Sequence, residues 1–282
     1  MQYTDTIQTF IFEHASIRGE IVRIEETYQA IIHQHHYPPL INHLLAEAVL
    51  SCLLLASSIK FEGELSLQFQ GDERLSLLLV QCNHERQIRA FAKFKKAMDI
   101  KDYAAAFLQG KMVLTLNQYH QTQAYQSVVP LHSTSMSENI MHYFAQSEQL
   151  ATRVWLAVGK GKAAGMMLQL MPDQNTEQRE QFWEYAVQLG QTVSEEELLN
   201  LDNPTLLYRL YHETDLRLFD SRRISFKCRC SQDKMKQVLS ILGEEEVQSL
   251  LKEKGKVVVT CDFCNQEYSF DAIDIAMLFH NK

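Results

Sequence analysis

The chain has 282 residues, 46% of them hydrophobic, with 27 Lys and Arg against 35 Asp and Glu, so it is long enough to bury a real core. Its formal charge of -8 gives no general attraction to nucleic acid or to an anionic membrane, and no clustered basic stretch supplies a local one. Only 10 Gly and 5 Pro are present, which excludes collagen-like, Gly-rich-repeat and low-complexity architectures.

The first thirty residues alternate charge and apolar character, with no apolar core behind a basic start, so they do not read as a signal peptide. The longest apolar run, 44–59, is broken by Glu47, Ser51, Ser57 and Ser58. It falls short of the roughly 20 residues that cross a bilayer and reads as a buried helix. The expectation is a cytoplasmic protein, whose cysteines must be interpreted for a reducing compartment.

From residue 5 to about 172 short alternating stretches mix with helical ones. Strands are predicted at 7–12 and 17–24, where apolar residues fall at every second position through much of each. The strongest helix covers 42–59. Strands follow at 65–70, 75–82, 88–94, 112–117 and 125–129, then a helix from Ser137 or Glu138 to about Gln149, then a strand pair at 153–158 and 164–170. Between Asp173 and Asp202 the composition shifts to eight acidic residues against one basic, Arg179, in a stretch of helical period carrying Phe182, Trp183, Ala186, Val187 and Leu189. This is a helical linker with one apolar stripe. Periodicity does not separate a helix packed permanently on the main domain from one whose docking is conditional.

The last stretch, 226–282, predicts helices at 233–242 and 244–253 closed by Gly243 and Gly255, strands at 256–260 and 265–270, and a final helix capped by Asp271. The whole reads as an α+β protein with three parts. These are a large N-terminal core domain of mixed sheet and helix (1–172), a helical linker (173–225) and a small C-terminal four-cysteine zinc domain (226–282). A unit of that size with few large apolar groups usually needs a metal or disulfide staple.

Four of the six cysteines lie in it, as Cys228-x-Cys230 and Cys261-x-x-Cys264 with 30 residues between the pairs. Near-extended residues i and i+2 share a face, so Cys228 and Cys230 can present both sulfurs to one metal. Cys261 and Cys264 flank a two-residue turn between strands, the spacing of a zinc knuckle. Four thiolates make a closed tetrahedral site with no open position for substrate, hence a non-catalytic one; reduced structural thiols and an iron–sulfur centre are the alternatives. Zinc binding in small Cys-rich domains is worth about 10–16 kcal/mol, comparable with the roughly 5–15 kcal/mol that stabilises a whole domain. Loss of the metal should therefore unfold this unit. Oxidation of the thiolates abolishes their hold on zinc, so the arrangement is chemically able to act as a redox-triggered unfolding switch, although a purely structural site has the same spacing. Cys52 and Cys82 lie in apolar segments and read as buried free thiols.

Other constellations carry less. His33, His35 and His36, with His43 nearby, lack a carboxylate or cysteine partner and fit a polar turn before Pro38-Pro39. Gly159-Lys160-Gly161-Lys162 lacks the spacing and the Ser or Thr of a phosphate loop and reads as a hairpin turn. Ser147-Glu148-Gln149 is not a nucleophile elbow. No nucleophile, acid–base pair or open metal site emerges, so no enzymatic activity is expected.

Together, the cysteine pattern and several other segments resemble the Hsp33 family of redox-regulated holdase chaperones. Those segments are Leu44-Leu45-Ala46-Glu47 with Leu53-Leu54-Leu55-Ala56, Lys60-Phe61-Glu62-Gly63, Gln68-x-Gln70-Gly71-Asp72, Tyr143-Phe144-x-x-Ser147-Glu148-Gln149 with Thr152, and Gln169-x-Met171-Pro172. The segment from Leu207 to Leu210, with His212-Glu213, Arg217 and Phe219, resembles the family's approach to Phe226-x-Cys228. The chain departs from the family at Glu73, Ala90 and Met112, where glycine is usual, which suggests different turn geometry there. The resemblance implies a mechanism. In the reduced protein one Zn2+ per chain is held by Cys228, Cys230, Cys261 and Cys264, the linker is docked and the protein is nearly inactive. Oxidation forms Cys228–Cys230 and Cys261–Cys264 disulfides, releases zinc, unfolds the C-terminal unit and the linker, and promotes homodimerisation. The N-terminal domain then holds unfolding client proteins without ATP. Neither nucleic acid nor membrane is an expected partner. A zinc-ribbon module binding a protein or nucleic-acid partner is the competing reading, and a thiol–disulfide oxidoreductase using Cys261-x-x-Cys264 is weaker, because the context is not thioredoxin-like.

Overall fold

Alternation in the N-terminal strands builds two antiparallel-rich sheets with a helix between them. The computed structural model describes residues 4–13, 15–95, 105–106, 108–172 and 176–280. The chain divides into two units, Met1–Phe226 and Lys227–Lys282. The predicted core–linker boundary at 172/173 adjoins residues outside the described set.

In the larger unit β1 (Thr6–Phe12) and β2 (Ile17–Ile24) form a hairpin. They are followed by α1 (Glu26–His33) and α2 (Pro39–Ser58). Next come β3 (Gly63–Gln70), β4 (Leu75–Asn83), β5 (Gln87–Phe94), β6 (Lys111–Gln118) and β7 (Tyr125–Pro130). Helix α3 (Met136–Tyr143) runs into one π turn, Phe144–Glu148, that ends on Gln149 at φ 55°, and β8 (Thr152–Val158) and β9 (Ala163–Leu170) form the last long hairpin. Helices α4 (Thr176–Gly190), α5 (Glu195–Asn200) and α6 (Asn203–Tyr211) come next. Short strands β10 (Leu216–Leu218), β11 (Arg222–Arg223) and β12 (Ser225–Phe226) end the unit.

The first sheet has the order β10-β1-β2-β9-β8 with β11 also on β1, and the second β12-β5-β4-β3-β6-β7. Helix α2 lies between them and packs on strands of both. It is long and apolar enough to cross a membrane, against the expectation from its interrupted apolar run, but it is mostly buried as the core helix. Its start at Pro39, earlier than predicted, follows from proline's suitability for the first helical position, where no N–H is needed. Glycine is not required at the three departures. Ala90 and Met112 are buried strand residues and Glu73 sits in the β3–β4 turn, paired with Lys95; none has a positive φ. The expected change of turn geometry thus applies to neither Ala90 nor Met112.

The first sheet is apolar on both faces, and β9 is buried at every position. Met167, with Val22 and Ile24, faces α2 and the second sheet. Met166, Leu168 and Leu170, with Phe10, Phe12, Ile17 and Ile21, face the other way into a separate cluster. That second cluster is completed by the linker: Trp183, Ala186 and Val187 from α4, Leu198 from α5, and Leu206, Leu207, Leu210 and Tyr211 from α6, with Phe182 and Leu189 partly buried beside them. The predicted stripe is therefore the docked face of α4. Gly19 admits this packing, since a Cβ there would fall 2.0 Å from the ring of Phe10.

Polar contacts fix the same attachment. Arg23 on β2 donates to Asn203 Oδ1 (2.8 Å) and to the Leu198 carbonyl, and Asn203 donates to Gln8 Oε1 (2.8 Å). Ser194 and Asp202 cap α5 and α6, the first with a capping box closed by Glu197. Tyr211 Oη donates to the Ala186 carbonyl at 3.1 Å, tying α6 to α4.

The smaller unit is built from α7 (Gln232–Leu242), α8 (Glu244–Lys254), the hairpin β13 (Val257–Thr260) with β14 (Glu267–Phe270), and α9 (Ala272–His280). Its buried core is Leu239, Val247, Val257, Phe270 and Ile275.

Truncating Trp183 to Ala should lower the stability of the larger unit by about 3 kcal/mol, the usual cost of deleting a large buried aromatic. Asp202→Ala should cost about 1 kcal/mol, the usual worth of a helix cap. Urea unfolding of the reduced protein followed by circular dichroism checks both; equal midpoints for Trp183→Ala and wild type would contradict the packing assigned to α4.

Candidate metal centre

The four clustered cysteines come from two local structures in the smaller unit. Cys228 and Cys230 lie on the irregular stretch entering α7, whose N-cap Ser231 accepts from the Lys234 N–H. Cys261 and Cys264 form the tip of the β13–β14 hairpin. Two backbone hydrogen bonds close that tip, Cys261 N–H to the Gln266 carbonyl (3.0 Å) and Asn265 N–H to the Cys261 carbonyl (2.9 Å), and Asn265 takes a left-handed φ of 53°. This geometry suits asparagine better than any β-branched residue.

All four sulfurs lie within 4.8 Å of one another. The pairs Cys228–Cys261 and Cys230–Cys264 approach to 3.7 and 3.5 Å, so the two halves of the motif interleave. These separations are far from an S–S bond of about 2.05 Å. They are close to the edge of about 3.8 Å that a tetrahedron acquires from metal–sulfur bonds of about 2.3 Å. Cys261 is buried and the others are half-buried, which leaves limited room around the cluster.

The electrostatics also call for a cation. Burial opposes ionisation of Cys228, but the Cys230 N–H and hydrogen bonds with the neighbouring sulfurs bring its thiol down to about 7. Cys261 and Cys264 are pushed the other way, first by burial and then by Cys228, despite donors from the Phe263 and Cys264 N–H groups and from the Gln266 N–H respectively. One thiolate forms readily, and further negative charge beside it is resisted. A divalent metal at the centre would reverse that penalty and hold all four sulfurs as thiolates. The donor set and the geometry both fit a metal ion.

Tyr268, on β14, lies outside the sequence-based site. Its hydroxyl donates to Cys230 Sγ at 3.1 Å, and this bond, before burial, pushes its own pKa up to about 12. The available signal was its position in the strand leaving the knuckle, which returns it toward the first cysteine pair. The histidines differ in detail from the sequence reading: His33 ends α1 rather than lying in a turn, and His43 does have a carboxylate partner, Glu47 one turn along α2 at 3.7 Å, while His35 stacks on Tyr37. Residues 159–162 form the β8–β9 turn as expected. Among the described residues the four cysteines are the one group of ligating side chains arranged for a metal ion. Cys52 and Cys82 are fully buried free thiols in the larger unit.

The similarities to known proteins extend over both units. The chain matches the family described as Hsp33 protein over residues 5–271. It is 39% identical to a 33 kDa chaperonin of Pseudomonas savastanoi pv. phaseolicola, with 98% of this chain and 94% of the relative aligned. It is 38% identical to one of Shewanella sp. strain ANA-3, covering 98% and 96%. The crystal structure of a 33 kDa chaperonin, a heat shock protein 33 homolog from Thermotoga maritima, shares the fold with a TM-score of 0.84 over 98% of each chain at 24% identity. With the cysteine cluster, the two-sheet core and a family match that runs through both, the chain belongs to the Hsp33 family.

Proposed function

We propose that the protein is a redox-regulated, ATP-independent holdase whose client-binding surface is the outer face of its first sheet, hidden under the linker helices in the reduced form. The observation that carries this reading is the second apolar cluster. Phe10, Phe12, Ile17, Ile21, Met166, Leu168 and Leu170 are covered by α4, α5 and α6, of which α4 and α5 bring an otherwise acidic, polar surface. Undocking those helices uncovers an apolar sheet face that a folded monomer does not keep in water, and such a face holds exposed apolar segments of unfolding proteins.

The trigger in this reading is sulfur chemistry. In the reduced state Cys228, Cys230, Cys261 and Cys264 hold one Zn2+ per chain, which supplies the positive charge that keeps four thiolates together. A thiolate attacks peroxide, taking one oxygen to become a sulfenic acid while hydroxide leaves. A second thiolate then attacks that sulfur, a second hydroxide leaves, and the pair has given two electrons to the oxidant. Repeated at the other pair, this yields Cys228–Cys230 and Cys261–Cys264 disulfides and removes the charge that retained the metal. The smaller unit, with five buried apolar side chains, then has too little core to stay folded. In the three-part organisation proposed for the chain, 1–172 binds clients and dimerises, 173–225 is the releasable cover and 226–282 is the sensor. The proposed partners are unfolding proteins and, after oxidation, a second copy of the chain, in the cytoplasm and without nucleic acid or membrane. No catalytic turnover is part of this function.

Light scattering of an unfolding test protein distinguishes the readings. Only the peroxide-treated, mildly heated protein should suppress aggregation, and reductant should restore the resting state; a zinc module whose activity dies on oxidation has the opposite sign. Cys261→Ser should reduce bound zinc from about one per chain to well below half, with loss of helical signal from the smaller unit. Metal analysis and circular dichroism read this. Leu206→Asp with Leu210→Asp places charge in the linker–sheet cluster and should give holdase activity in the reduced, zinc-loaded protein; an inactive reduced variant with a released linker would place the client surface elsewhere.

A further inference from the structure

We infer that Tyr268 is a positioning residue that sets how readily the metal centre reacts with oxidant, through the hydrogen bond from its hydroxyl to Cys230 Sγ. The inference rests on the metal-centre reading above. Three of the sulfurs take donors from peptide groups: Cys228 from Cys230 N–H, Cys261 from Phe263 and Cys264 N–H, and Cys264 from Gln266 N–H. Those donors are backbone groups, one on the stretch entering α7 and the others at the knuckle, and are fixed by the fold. Cys230 takes a donor from a side chain, the Tyr268 phenol at 3.1 Å, which the sequence can alter without altering the hairpin.

The placement explains how the phenol stays directed. Tyr268 pairs with Val259 across the β13–β14 hairpin, and its ring packs against the small core of Leu239, Val247, Val257, Phe270 and Ile275. The ring is held by packing, and the hydroxyl reaches the sulfur from the strand that leaves the knuckle. A donor on a thiolate withdraws electron density from it, and outer hydrogen bonds of this kind tune both the orientation and the reactivity of metal ligands. Thiolate attack on an oxidant rises with sulfur basicity with a Brønsted slope of about 0.4–0.5, so each pKa unit of basicity returned to sulfur speeds attack about threefold. The phenol therefore restrains Cys230 in the resting protein. The reaction it restrains is attack of the Cys230 thiolate on peroxide, which forms an S–O bond, breaks the O–O bond and expels hydroxide. Setting the oxidant threshold in this way requires no change in the metal ligands.

Tyr268→Phe keeps the ring and deletes the donor. In the full-length, zinc-loaded, reduced protein, the variant should lose free thiols to hydrogen peroxide about three- to tenfold faster than wild type at a temperature well below unfolding. In the cobalt-loaded proteins the sulfur-to-metal charge-transfer band should move to lower energy, since the sulfur loses a donor. Equal oxidation rates and coincident bands would overturn the inference, as would faster oxidation accompanied by loss of helical circular dichroism, which would make the hydroxyl a structural element only. A wild-type protein that takes up neither zinc nor cobalt would overturn the metal reading and this inference with it, whereas normal metal uptake with no effect of Tyr268→Phe removes the inference alone.

Discussion

A sheet with two apolar faces needs two covers, and the larger unit follows from how it obtains them. Strand β9 is buried along its whole length. Its Met167 face is covered by α2 and the second sheet, which are continuous with the core and cannot leave without unfolding it. Its Met166, Leu168 and Leu170 face is covered by helices that follow β9 in the chain. Of those helices α5 and α6 are short and individually capped, and all three hold through the apolar residues they bury and a few polar ties such as Arg23 to Asn203. The first cover is part of the fold; the second is attached to it. Local opening is easiest where an element is peripheral and its contacts are few, so the fold itself places the less stable cover over an apolar face.

The smaller unit meets the opposite constraint. Five buried apolar side chains are too few to offset the ordering of its chain, and the thiols of Cys261 and Cys264 are held up by burial and by Cys228 beside them. A cation at the cysteine cluster would resolve both deficits at once. With a metal bound the unit would be fragile in one chemical direction: temperature or denaturant would have to overcome the metal–sulfur bonds, whereas an oxidant would convert the ligands into groups that no longer bind. Stability that depends on thiolate charge is lost when the charge is oxidised away, even if every apolar contact is initially in place.

Much of this was legible in the sequence, and the failures have identifiable causes. The hairpins and the second sheet follow from period-two alternation, and the metal centre from cysteine spacing, because both signals are local. Helix α1 gave no such signal. Its end is capped by Asp5, whose carboxylate accepts from the Glu25, Glu26 and Thr27 N–H groups, and a cap twenty residues upstream in sequence is invisible to a local pattern. Strands β10, β11 and β12 were missed because two or three residues cannot show a period. The expected helix at 137–149 is present but changes to a π turn at Phe144, and no side-chain pattern marks a change of backbone pitch. The linker stripe was legible as amphipathic, while the surface it covers was not: that depends on which face of β9 the first cover leaves open.

The missed strands matter most for how the two covers differ. The segment after α6 adds β10 and β11 to β1 of the first sheet, and then β12 to β5 of the second in parallel register, Ser225 beside Gln87 and Phe226 beside Ile88. Cys228 is only two residues further along. The linker is thus anchored to sheet at both ends, by β9 before it and by β10 to β12 after it, with the helices as the intervening span. A tethered span that lets go stays near the surface it covered, so re-docking is an intramolecular event with a high effective concentration. A tethered cover suits a reversible device, since the exposed sheet face can be hidden again without a search through solution. The last of these anchors, the two-residue strand β12, lies immediately before the first cysteine pair and, like β11, pairs through only two residues.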